Sequence, residues 1–108
     1  GDQVAELVSV FVLSEPHPRA GEGVVIEATL RGLTLSSGLI LEFWVETPSG
    51  ESMSVDKTAT DTLNPGEAQT YKADEFVPEQ EGIYVIHAYL FDGTTRIGHA
   101  TDYLSITA

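Results

Sequence analysis

Alternation of apolar and polar side chains restricts this chain more than any other feature. Val24, Ile26, Ala28 and Leu30 alternate with Val25, Glu27, Thr29 and Arg31. Leu41, Phe43 and Val45 alternate in the same way with Ile40, Glu42, Trp44 and Glu46. A period of two places successive side chains on opposite faces of a strand, so each run predicts a strand with one face turned inward. Turn signals separate such runs about every ten residues, the spacing of an all-β sandwich. No stretch holds a helical apolar period for three turns.

Along the chain, Val8, Val10 and Val12 alternate in a first strand, while Phe11 and Leu13 on its other face predict that it also packs elsewhere. Pro16 and Pro18 end it, and neither can donate to a ladder, which suits an edge or a crossing between sheets. Gly21-Glu22-Gly23 leads into the second strand and Ser36-Ser37-Gly38 into the third, residues 39–47. Pro48-Ser49-Gly50 turns the chain into a polar run, residues 51–60, which reads as an edge strand. Asn64-Pro65-Gly66-Glu67 is a sharp turn, with proline at the first central position and glycine at the second, where φ is positive. A further strand runs to about Phe76. Residues 83–91 then form a long central strand with Tyr84, Ile86, Ala88 and Leu90 on one face. Asp92-Gly93 signals a hairpin into a last strand, residues 96–106. There Ile97 and the pair Leu104/Ile106 share a face only if a bulge intervenes, expected near Thr101-Asp102. About seven strands predict one immunoglobulin-like, two-sheet antiparallel sandwich over residues 1–108, with its core within about 4–107.

A chain of 108 residues is the size of one domain, and folding at that length buries about two-thirds of the unfolded surface. With no cysteine, disulfides, thiolate zinc sites and a cysteine nucleophile are excluded. Seventeen acids against five bases give a net charge of -12. That field repels phosphate backbones and anionic lipid, so no nucleic-acid partner is expected. The apolar runs are too short for membrane insertion.

Four stretches carry a likeness to a known family. Ala5-Glu6-Leu7 opens a strand, Gly21-Glu22 precedes the second, Leu63-Asn64-Pro65-Gly66-Glu67 forms the turn, and Gly82-Ile83-Tyr84-Val85-Ile86 starts the long strand. In this order, with Phe43-Trp44-Val45 and Asp92, they resemble the cell-adhesion-related domains of bacteria and archaea, the CARDB family of immunoglobulin-like seven-stranded sandwiches. The likeness covers about residues 5–92. BsuPI-like bacterial proteinase inhibitors share the Leu-x-Pro-Gly-Glu and Gly-x-Tyr signals and are a more distant likeness. The residues themselves agree on Tyr84. It follows the corner at 78–82, where its hydroxyl is placed to bond back to the corner's backbone.

Catalytic chemistry finds thin material. His17, His87 and His99 are the only histidines, no nucleophile elbow is present, and neither type of phosphate-cradling glycine loop occurs. No enzyme activity, catalytic residue or cofactor is expected. Asp74, Glu75, Glu79, Glu81, Asp92 and Asp102 supply the oxygens that calcium prefers but lack any calcium-loop spacing, so they read as solvated acids. His87 and His99 fall on neighbouring strands of the expected hairpin, and two imidazoles without a third ligand rarely make a metal site.

The most informative feature is a face. If Leu41, Phe43, Val45, Tyr84, Ile86, Ala88 and Leu90 point inward, then Ile40, Trp44, Val85, His87, Tyr89 and Phe91 point outward as one apolar, aromatic patch. Contiguous patches of this kind mark interfaces. The expected function is therefore a non-catalytic interaction or spacer module of a cell-surface or secreted protein, part of a larger chain. Its partner is a protein, a neighbouring domain or a glycan. The alternatives are a carbohydrate-binding module stacking sugars on Trp44 and Tyr89, and a proteinase inhibitor presenting a loop.

Overall fold

The computed structural model describes residues 3–13 and 17–108. Among them run seven strands: β1 (Ala5–Val12), β2 (Ile26–Gly32), β3 (Ile40–Glu46), β4 (Ser52–Ala59), β5 (Ala68–Lys72), β6 (Gly82–Asp92) and β7 (Thr95–Ile106). They form two antiparallel sheets, ordered β1-β2-β5 and β4-β3-β6-β7. This is the expected immunoglobulin-like sandwich, and β4 is the edge that its polar sequence predicts.

The alternating runs sort as read. Val24, Ile26, Leu30, Leu41, Phe43, Val45, Tyr84, Ile86 and Leu90 are all buried in one cluster between the sheets. Each such side chain removed from water stabilises the fold by about 1.5–3 kcal/mol. Within the larger sheet, Leu41 pairs with Leu90, Phe43 with Ala88 and Val45 with Ile86. A slip of one residue in this register would bring Glu42, Trp44 and Glu46 inward, so burial itself fixes the pairing.

The corners follow their local chemistry. The Tyr84 hydroxyl donates to the Gln80 carbonyl at 2.8 Å and accepts from the Gln80 amide at 3.1 Å, and its ring meets Phe76 edge-on. Gly66 has φ of 79°, and the Glu67 amide closes onto the Asn64 carbonyl at 3.0 Å, as a type II turn requires. Pro18 lies at a crossing between sheets: its carbonyl accepts from Thr107 at 3.0 Å, and Arg19 bridges Thr107 in parallel at the end of β7. Pro16 lies outside the described residues.

Three expectations are corrected. Val8 does not share an inward face with Val10 and Val12, because the β1–β2 register shifts between Leu7 and Ser9; Val8 is the extra residue and is 54% exposed. Phe11 and Leu13 are exposed rather than packed elsewhere. The bulge in β7 lies not near Thr101-Asp102 but at Ile97, where Leu90 pairs with Gly98 and Phe91 with Arg96. The tight turn at Gly93-Thr94 and the need to seat Leu104 and Ile106 inward both act on this strand, and the mismatch is absorbed close to the turn. Gly98, beside the bulge, has no side chain where a Cβ would come within 2.9 Å of the Leu7 Cβ, so β7 can approach β1 closely.

Candidate functional site

Pairing of β3, β6 and β7 builds the outer face of the four-stranded sheet residue by residue. Trp44 stands opposite His87, Glu42 opposite Tyr89, Glu46 opposite Val85 and Ile40 opposite Phe91. Across β6, Val85 pairs with Tyr103, His87 with Thr101, Tyr89 with His99 and Phe91 with Arg96. Ile40, Trp44, Val85, His87, Tyr89 and Phe91 therefore share this face, and each is half-buried. Trp44 lies outside the core. Its cross-strand neighbour is His87, with Tyr89 one step along the diagonal.

Ile83, Arg96, His99, Thr101 and Tyr103 also belong to the face and were not singled out as part of it. Ile83 and Tyr103 are its most open apolar members, 61% and 69% exposed at one end of β6 and β7. Glu42, Glu46 and Arg96 supply its charge, and His99 adds an imidazole. The signal for the β7 residues was the bulge. With the bulge set at Thr101-Asp102, strict alternation leaves the facing of this strand ambiguous; with it at Ile97, His99, Thr101 and Tyr103 all turn outward.

Several polar atoms of the face are bonded to one another. Glu46 Oε1 lies 2.9 Å from His87 Nε2, and His87 Nδ1 lies 2.8 Å from His99 Nε2. Because a carboxylate only accepts, His87 carries its proton on Nε2 when neutral. Its Nδ1 then accepts, and the donor is His99 Nε2–H. His99 also lies against Tyr89, with ring centroids 4.5 Å apart and planes at 8°, and the Arg96 guanidinium stands 5.5 Å from the same Tyr89 ring. The indole of Trp44 donates to Glu42 Oε1 at 2.9 Å. Desolvation, and then the positive fields of His87 and Arg96, hold the His99 imidazole below its ordinary value.

A carboxylate–imidazole–imidazole chain can orient a base and move a proton. Among the described residues, no serine or threonine hydroxyl is bonded to either imidazole. Nor do the described residues bring three or more His, Asp or Glu side chains together to hold a metal ion, the loop acids at 74, 75, 79, 81, 92 and 102 included. An apolar groove lies at the end of the sandwich, lined by Met53, Phe76, Val77, Pro78 and Tyr84.

Compared by sequence, the chain matches no family profile and no curated protein. Solved structures share its fold. The CARDB domain of the PF1109 protein from Pyrococcus furiosus, in complex with di-metal ions, matches with a TM-score of 0.71 at 16% identity, over 96% of this chain and 86% of that one. A putative β-galactosidase from Bacteroides fragilis matches with a TM-score of 0.72 at 16% identity, over 96% of this chain but 18% of its own. Bacteroides uniformis β-glucuronidase gives 0.70 at 13% identity, over 95% of this chain and 14% of its own. The fold is CARDB-like, as the resemblance in the turn and strand motifs implies.

Proposed function

We propose that this domain is a non-catalytic interaction module that docks a protein or a neighbouring domain onto the outer face of its four-stranded sheet. The observation that carries this reading is the uncovered apolar end of that face, Ile83 and Tyr103 beside Val85. Trp44, Tyr89 and Phe91 add aromatic area farther along the same face, with His87 and His99 among them. Flat aromatic area that is only half-buried is favoured at binding sites. The rim acids Glu42 and Glu46, on a chain of net charge -12, favour a neutral or basic partner surface. In both glycosidases the similar fold occupies less than a fifth of the chain, which supports a role as one module of a larger protein. A cell-surface or secreted setting suits such a module and forms part of the proposal. A sugar partner is less favoured, because Tyr89 is already stacked with His99 and faces Arg96.

The test compares three forms of the domain as bait in an envelope extract: wild type, Tyr103→Asp on the face, and Val8→Asp on the opposite sheet. The purified partner should bind wild type and Val8→Asp, lose at least tenfold in affinity for Tyr103→Asp, and shift the emission of the sole tryptophan, Trp44, to the blue. Equal affinity for all three forms, or binding that leaves Trp44 emission unchanged, would place docking elsewhere.

A further inference from the structure

Glu46, His87 and His99 stand on three neighbouring strands and are joined by two hydrogen bonds. The imidazole planes are 17° apart and their centroids 5.1 Å apart, with the bonded nitrogens between them. The rings therefore meet edge to edge through an N–H···N bond. That bond makes the proton count of the two histidines interdependent.

With both rings neutral, His87 Nε2–H donates to Glu46 and His99 Nε2–H donates to His87 Nδ1. Among the described residues, His99 Nδ1 has no partner, and its lone pair is where the first proton enters. As it arrives, the proton on His99 Nε2 passes to His87 Nδ1. The positive charge then sits on the ring that touches the Glu46 carboxylate. His99 remains neutral, protonated on Nδ1 and accepting through Nε2, so both hydrogen bonds survive. A second proton finds no free lone pair on either ring. The one remaining is His99 Nε2, which is occupied by the bond from His87. Taking it breaks that bond and sets two imidazolium rings against each other, beside Arg96.

We propose that Glu46, His87 and His99 form a proton-operated latch across β3, β6 and β7, closed with no proton or one shared proton and opened by the second. The charged and titratable groups facing it are Glu42 and Glu46 from β3, Tyr89 from β6, Arg96 and Tyr103 from β7, and Lys57 of β4 opposite Glu42. The two cations, His87 after the first proton and Arg96, both act against the second step. The depressed value of His99 agrees in direction. A histidine depressed on folding contributes stability that is present above its unfolded value of 6.5 and is lost as pH falls through the lower folded value. Opening also frees His99 from Tyr89, uncovering aromatic surface in the middle of the face. The latch thus lies within the docking face proposed above, yet its titration is read in the isolated domain and needs no partner.

Proton-detected 15N NMR of the imidazoles, followed from pH 8 to pH 4, reads both the tautomers and the steps. The expected result is two shared steps reported by both rings, because the pair and not either residue owns the macroscopic values. His99 should change from the Nε2–H to the Nδ1–H tautomer in the first step. The upfield ring-current shift that Tyr89 imposes on His99 should disappear only in the second. Glu46→Gln should move the first step to lower pH, and His87→Gln should leave His99 with one step at higher pH than its last step in wild type. Two independent single-step titrations in wild type, or a Tyr89 ring-current shift that persists through full protonation, would overturn the latch. The wild-type titration decides the matter even if a variant fails to fold.

Discussion

Replacing Tyr84 with phenylalanine isolates what one hydroxyl contributes to the corner before β6. The ring is 2% exposed and packed edge-on against Phe76, so phenylalanine fills the same space and leaves no cavity. What disappears is the pair of bonds to the Gln80 backbone, at 2.8 and 3.1 Å. A neutral hydrogen bond contributes about 0.5–1.5 kcal/mol net, so the pair is worth about 1–3 kcal/mol. Gln80 is exposed, and water can reach part of its released backbone, which places the expected loss in the lower half, about 1–2 kcal/mol. A domain of 108 residues melts with an entropy of roughly 0.23 kcal/mol/K, so the midpoint should fall by about 4–9 °C. Calorimetry reads the shift, and urea unfolding with an unchanged slope confirms that the folded state alone has changed. Tyr103→Phe, whose hydroxyl belongs to a side chain 69% exposed, is the control and should not move the midpoint. A fall below about 2 °C for Tyr84→Phe at constant slope would refute the reasoning. The corner would then be held by its backbone and by Pro78, with the hydroxyl bonds merely replacing bonds to water.

Phe43→Ala removes a fully buried ring that stands between Ala88 of β6 and Asp56 of β4 and leaves a cavity in the core. Chemical denaturation should show a loss of about 3–5 kcal/mol, and a loss under 1 kcal/mol would mean the core lies elsewhere. Gly98→Val places a branched side chain where even a Cβ lies 2.9 Å from the Leu7 Cβ, so β1 and β7 must separate. A cost of about 1–3 kcal/mol, with faster amide exchange along β1, is the expected reading, and an unchanged melting midpoint would contradict the close approach.

The sandwich was legible because its central strands obey one rule over their whole length. In β2, β3 and β6 every inward position is apolar, and the register that buries them is the only one that keeps Glu27, Glu42 and Glu46 in contact with water. Tyr84 and the Asn64–Glu67 turn were legible for a different reason, since each depends on a few adjacent residues. The outer strands were harder to read. Val8 and Ile97 are single insertions into β1 and β7, and nothing in a local pattern distinguishes an inserted residue from an alternating one until the partner strand is known. The same gap hid part of the face. Ile40, Trp44, Val85, His87, Tyr89 and Phe91 were readable from β3 and β6, whereas the facing of His99 and Tyr103 depends on where β7 carries its extra residue.

The bonds within the face bear on what can dock there. Sequence alternation treats Trp44 and Tyr89 as equivalent flat rings, each free to stack. The structure separates them. Tyr89 lies against His99, and His99 is held in line by His87 and Glu46, so a ligand that stacks on Tyr89 must first displace a bonded imidazole. Trp44 is tied through its indole nitrogen to Glu42, which fixes the ring and removes its one hydrogen-bond donor from use by a sugar hydroxyl. The free apolar area is therefore displaced along β6 and β7 toward Ile83 and Tyr103, whose side chains make no such bonds among the described residues. A sugar needs an open ring with donors and acceptors around it. A protein surface needs apolar area with a rim that stays satisfied when water leaves. The face comes nearer the second requirement, since Trp44 Nε1 and both nitrogens of His87 are bonded within the domain, while the free oxygens of Glu42 and Glu46 and His99 Nδ1 call for donors on the partner surface.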